Sequence, residues 1–137
     1  MPDTPQHDLP KPVLLVCTTC RAGQPLAEGE TPPGRHMLDA LEHALAAHPA
    51  PPVELRPVTC LSVCRQGCAA AMTQPGKWSY LLGHLSPALA GDLLAYGETY
   101  AAHATGAVLP SRRPESLRGA VLGRLPSLAE PSKDNAA

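Results

Sequence analysis

The chain has 137 residues, a formal net charge of −1, 17 prolines, 11 glycines and 3% aromatic side chains. Near-neutrality gives it no general attraction to nucleic acid or to anionic membranes, and it has no run of about eighteen apolar residues to span a bilayer. Its length suits one compact domain, with a core built from Leu, Val and Ala.

Residues 1–11 read as a flexible polar leader without the basic and apolar regions of a secretory signal, which points to a cytoplasmic protein. Pro12 to Val16 is a short apolar run, consistent with a buried parallel strand that ends at Cys17. Residues 21–33 contain Gly23, Pro25, Gly29, Pro32 and Pro33 and form a loop. A helix is predicted from Gly34 to Ala47, with Met37, Leu38, Leu41 and Leu45 on one stripe, until the prolines at 49, 51 and 52 stop it. Val53 to Val58 alternates as a second strand, and Pro57 places it at a sheet edge. Residues 69–73 and 77–82 flank Gln74-Pro75-Gly76 as a β-hairpin, although the alanines of the first arm also suit a helix. Ser86-Pro87 starts a second helix whose apolar face carries Leu89, Leu93, Tyr96 and Tyr100. Gly97 weakens that helix by about 1 kcal/mol relative to alanine, and Gly106 marks its end.

The order is βαβ followed by ββα. A right-handed crossover makes the first two strands parallel, which gives an α/β, thioredoxin-like fold with a mixed sheet and helices packed on it. The domain spans 12–106. Residues 107–128 form a basic extension, with Arg112, Arg113, Arg118 and Arg124 against Glu115 alone. A short amphipathic turn with Leu117, Val121 and Leu125 packs this extension onto the domain. Residues 129–137 are small and polar, a disordered tail.

All five cysteines lie in two segments, Cys17-Thr18-Thr19-Cys20 and Cys60-Leu61-Ser62-Val63-Cys64-Arg65-Gln66-Gly67-Cys68. Each segment follows a predicted strand. Loops leaving two parallel strands emerge at the same sheet edge, so Cys17 and Cys20 face Cys60 and Cys64 there. Four convergent thiolates suit a Zn site or a 2Fe–2S cluster, and the spacings fit both. Cys68 is either a core residue at the start of the hairpin or an alternate ligand. The contrary reading of all five is as small buried hydrophobes, which does not account for their bunching.

The Cys60-Leu61-Ser62-Val63-Cys64 element resembles the cluster loop of thioredoxin-like 2Fe–2S ferredoxins and of the small flavin-associated subunit of respiratory complex I. Cys17-Thr18-Thr19-Cys20-Arg21, the segment from Cys60 to Cys68, and Gly76-Lys77-Trp78-Ser79-Tyr80 together resemble a small bacterial family of predicted metal-binding proteins, often associated with cobalamin-related genes. The resemblance covers most of residues 12–105. It implies that Cys17, Cys20, Cys60 and Cys64 are metal ligands. The chain departs from the ferredoxins in the short Cys17–Cys20 spacing, and in carrying Cys68 where they tend to have a proline.

The reading is of a metal-thiolate protein rather than an enzyme: a 2Fe–2S ferredoxin-like one-electron carrier serving a cytoplasmic redox or metal-handling partner. Alternatives are a zinc- or cobalt-binding protein and a thioredoxin-like thiol–disulfide protein. Against the last, an activated thiolate favours a helix N-terminus, and thirteen residues separate Cys20 from Gly34. Arg21 and Arg65 read as solvated groups that would offset a cluster's negative charge. His36, His43, His84 and His103 read as surface or cap-proximal residues. Trp78 and Tyr80 share a strand face, with at least one of them in the core. No serine-protease-type triad, P-loop or dinucleotide fingerprint is present. The four C-terminal arginines are a solvated strip or a docking site for an acidic partner.

Overall fold

A computed structural model describes residues 10–22 and 24–127, the side chain of Cys64 excepted. The predicted leader before residue 10 and the predicted tail after 128 lie outside the described residues. The elements are β1 (Val13–Cys17), α1 (Pro33–Ala46), β2 (Glu54–Val58), β3 (Ala70–Thr73), β4 (Ser79–Leu82), α2 (Ala90–Ala102) and β5 (Val121–Leu125), with short 3-10 turns between them. The sheet order is β2-β1-β3-β4-β5. β1 and β2 are parallel, and the remaining neighbours are antiparallel.

Alternation along the strands decides which face is buried. Leu14, Val16, Ala70, Met72, Tyr80 and Leu82 are buried, whereas Leu15, Ala71 and Leu81 are only half-buried. The buried set packs with Met37, Leu38 and Leu41 of α1 and with Leu93, Tyr96 and Tyr100 of α2 in one core. Tyr80 meets Tyr96 and Tyr100 edge-on, with ring centroids 5.9 and 6.3 Å apart. Gly97 has a packing reason, because a Cβ there would stand 2.6 Å from Val53 Cγ1. The glycine lets α2 lie close to the start of β2, which offsets its low helix propensity. Among the described residues no helix is long and apolar enough to cross a membrane.

The thioredoxin-like α/β topology holds, and β2 with Pro57 is an edge strand, as expected. In the hairpin, Lys77 N–H bonds to Gln74 O at 3.1 Å and Gly76 has φ +81°. Two expectations need correction. Ser86 makes no side-chain cap, and the chain first forms a 3-10 turn over Pro87–Leu89 before α2 starts at Ala90. The segment read as an amphipathic turn is strand β5, paired with β4. Leu117 is buried, but Leu125 is 69% exposed. Backbone pairing, rather than side-chain burial, holds β5 in place.

Candidate metal centre

The cysteines gather at the sheet edge where β1 and β2 end and β3 begins. Cys17 is the last residue of β1 and pairs in register with Val58. The following turn is tied to the chain that leads into Cys60: Thr18 N–H bonds to Val58 O at 2.9 Å, and the Thr19 hydroxyl bonds to Thr59 O. Cys17 Sγ also donates to Thr59 O, at 3.6 Å. On its other side, Cys17 N–H bonds to Ala69 O at 3.1 Å, which sets β1 beside the chain around Cys68.

Cys17, Cys20 and Cys68 are buried, at 3%, 2% and 2% exposure, and Cys60 is exposed at the rim. Cys64 opens the 3-10 turn Cys64–Gln66. Burial pushes the Cys68 thiol up to about 11, and the charge of Cys20, a hydrogen bond with Cys20 and the charge of Cys17 act in the same direction. Cys68 thus sits in the core and also beside the predicted ligand Cys20. Among the described side chains, no three of His, Cys, Asp or Glu are drawn together closely enough to hold a metal ion. The donor chemistry at this edge is nonetheless all soft sulfur, which suits a thiolate-bound centre.

Two glycines shape the site. A Cβ on Gly67 would lie 1.7 Å from Cys20 Sγ, so that sulfur rests directly against the Gly67 backbone. A Cβ on Gly34 would lie 2.1 Å from Cys17 O and 2.9 Å from Cys20 N, and Gly34 N–H bonds to Cys20 O at 2.9 Å. The first turn of α1 therefore packs on the Cys17–Cys20 loop despite the thirteen intervening residues. This removes the objection drawn from sequence distance, since the 21–33 loop leaves the site and returns to it. The Gly67–Cys68 dipeptide was the available sequence signal for the first of these glycines. Nothing in the sequence pointed to the second.

The edge also concentrates unusual backbone. Among the described residues, the non-glycine residues with positive φ are Ala22 (55°), Ser62 (64°) and His84 (57°). Ala22 follows the first cysteine pair, Ser62 lies between Cys60 and Cys64, and His84 N–H bonds to Gln66 O. The turn at Ser62 brings its N–H to Cys60 Sγ at 3.2 Å. Conformations that side chains disfavour tend to persist where the surroundings enforce them, often at functional sites.

Other singled-out residues do not join the site. Lys77 Nζ donates to Tyr100 O (3.1 Å) and Ala101 O (2.8 Å), capping the C-terminal end of α2. Trp78 is half-buried under Arg124, whose guanidinium carbon is 4.3 Å from the ring centroid. Arg113 lies 5.5 Å from the Tyr80 ring centroid and donates to Val108 O. Of the four C-terminal arginines, Arg112, Arg118 and Arg124 are exposed and Arg113 is half-buried. Because Ser79 pairs with Leu125 and Leu82 with Val121, Arg124 lies towards the end of β4 and β5 remote from the cysteines. Arg21, Arg65, His36, His43 and His84 are exposed. His103 is half-buried, and its Nδ1 accepts from Gly106 N–H at 3.0 Å.

The family model DUF1636, described as a protein of unknown function, matches residues 14–127. No curated protein matches the chain. Among solved structures, a thioredoxin-like [2Fe-2S] ferredoxin from Aquifex aeolicus aligns at TM-score 0.53 and 14% identity, covering 84% of this chain and 93% of that one. A cysteine-to-serine variant of that ferredoxin aligns at TM-score 0.51 and 15% identity, covering 82% and 98%. A second variant, altered at a cysteine four residues earlier, aligns at TM-score 0.50 and 15% identity with the same coverage. At these identities the likeness is one of fold.

Proposed function

The chain belongs to that family, and we propose that it is a metal-thiolate protein whose centre is a 2Fe–2S cluster and whose role is to carry single electrons. In this reading Cys17, Cys20, Cys60 and Cys64 hold the cluster, with Cys68 as the alternate ligand. The observation that carries it is the gathering of both cysteine segments at one sheet edge, with the Cys17–Cys20 turn hydrogen-bonded to residues 58 and 59 just before Cys60. Solved structures of this fold include thioredoxin-like [2Fe-2S] ferredoxins, which supports the cluster reading.

When bound, such a cluster supplies a one-electron couple. The chain's own groups set the conditions around it. The Ser62 N–H directed at Cys60 Sγ withdraws charge from that sulfur and favours the reduced state. Arg21 and Arg65 are exposed next to ligand cysteines and offset negative charge in the same sense. A reducing compartment such as the cytoplasm suits a centre held by cysteine thiolates. The partner is a redox or metal-handling protein with an acidic surface.

A specific observation favours a second reading, a thiol–disulfide protein: the first turn of α1 packs directly on the Cys17–Cys20 loop, with Gly34 N–H bonded to Cys20 O at 2.9 Å. One preparation separates the readings. Protein purified anaerobically under iron-sufficient conditions is expected to be brown, with two irons and two sulfides per chain by the 2Fe–2S formula. Stoichiometric zinc or cobalt without acid-labile sulfide, or a metal-free dithiol, would overturn the cluster reading. Cys60→Ser and Cys64→Ser should lose the centre or shift its spectrum, and Cys68→Ser should keep it.

A further inference from the structure

We propose that Cys20 and Cys68 form a redox-active dithiol, which closes to a disulfide when the metal centre is absent. The geometry selects this pair over Cys17 and Cys20. Cys17 Sγ is turned towards β2, where it donates to Thr59 O. Cys20 Sγ instead lies against the Gly67 backbone, one residue before Cys68, in a space that any side chain at 67 would fill. Both backbones are held in place: Cys20 O accepts from Gly34 N–H at 2.9 Å, and Cys68 O accepts from Leu85 N–H at 3.1 Å. Both Cys20 and Cys68 are free cysteines buried at 2% exposure.

The reaction needs an oxidant, and a low-molecular-weight disulfide such as oxidised glutathione supplies it. The Cys20 thiolate attacks one sulfur of that disulfide, whose S–S bond breaks. A mixed disulfide forms on Cys20, and one small thiolate leaves and takes up a proton. The Cys68 thiolate then attacks Cys20 Sγ and expels the second small thiolate, which is protonated in turn. Two protein thiols are oxidised and one small disulfide is reduced to two small thiols. Local opening of the 18–22 turn gives the reagent access to the buried sulfur. The bond would remove Cys20 from the ligand set, so that loading of a centre waits on reduction. This goes beyond the electron-carrier reading and does not depend on which metal the site takes.

The test uses the full chain, stripped of metal by a chelator and incubated anaerobically with oxidised glutathione. Remaining thiols are alkylated and the protein is digested without reduction. Cleavage after Arg65 and Lys77 separates Cys68 from every other cysteine, so its partner can be read by mass spectrometry. The expected product is a peptide pair joining Cys68 to the segment that holds Cys17 and Cys20, with fragmentation placing the bond at Cys20. The link should persist in Cys17→Ser and vanish in Cys20→Ser. If either variant fails to fold, fragmentation of the wild-type pair still decides. A Cys17–Cys20 bond, a bond to Cys60 or Cys64, or a fully alkylated Cys68 would each overturn the proposal. None of these results bears on the iron and sulfide content that tests the cluster.

Discussion

Gly67→Ala is the sharpest probe of the site, because it adds one methyl group at a place where the structure has no room. The new Cβ would start 1.7 Å from Cys20 Sγ and 3.4 Å from Ala22 N. Non-bonded carbon and sulfur settle at about 3.5–4 Å, so one of them must move by about 2 Å. Cys20 is 2% exposed and its carbonyl is held by Gly34, so its sulfur has no open space to swing into. A displacement of about 2 Å is roughly ten times the ~0.2 Å latitude of a metal–ligand distance. The variant is expected to fold with a loss of about 1–3 kcal/mol from overpacking and to lose its centre. Gly91→Ala is the control: nothing lies within 4 Å of its Cβ position, and a helical alanine there should add up to about 1 kcal/mol. Iron and sulfide per chain, the visible spectrum and urea unfolding would be measured on both variants. A Gly67→Ala protein with full iron and sulfide and an unshifted spectrum would refute the placement of Cys20 as a ligand held against residue 67.

Three further outcomes are expected. Lys77→Met leaves two carbonyls at the end of α2 without their charged donor and should cost about 2 kcal/mol in urea unfolding; a change within error would show that water replaces the lysine. Reversing the exposed Arg112 and Arg118 to Glu should slow electron transfer to an acidic partner at low ionic strength, with the difference shrinking as salt rises; Arg113 is left intact because it packs on Tyr80. Burial first, and then the charge of Tyr80, raises the folded-state pKa of both Tyr96 and Tyr100. Their contribution to stability is therefore complete below the unfolded tyrosine value of about 10 and declines as pH rises above it. Ionisation of Tyr96 and Tyr100 should accordingly appear together with loss of the far-ultraviolet circular dichroism, and ionisation of these two in a still-folded chain would contradict this.

By itself the sequence determined the elements whose side chains alternate or recur with a clear period: β1, α1, β2, the hairpin and most of α2. It also determined that the thiols leave strands rather than lie scattered through the core. These features follow from local patterning, which a single chain displays directly. Strand β5 was hidden because only Val121 in it is even half-buried. Its partner is the backbone of β4, and backbone hydrogen bonds leave no mark on residue type. The nearness of α1 to Cys20 was hidden as well, since a loop that departs and returns looks like separation when counted along the chain. Cys68 shows the same limit. Whether it belonged to the core or lay near the other cysteines could not be read from its spacing; the fold buries it in the core next to Gly67, which leaves room for the Cys20 sulfur. Local pattern decides which segments become strands and helices; which side chains meet is decided by the three-dimensional path of the loops, and here by two glycines that let chain and sulfur approach.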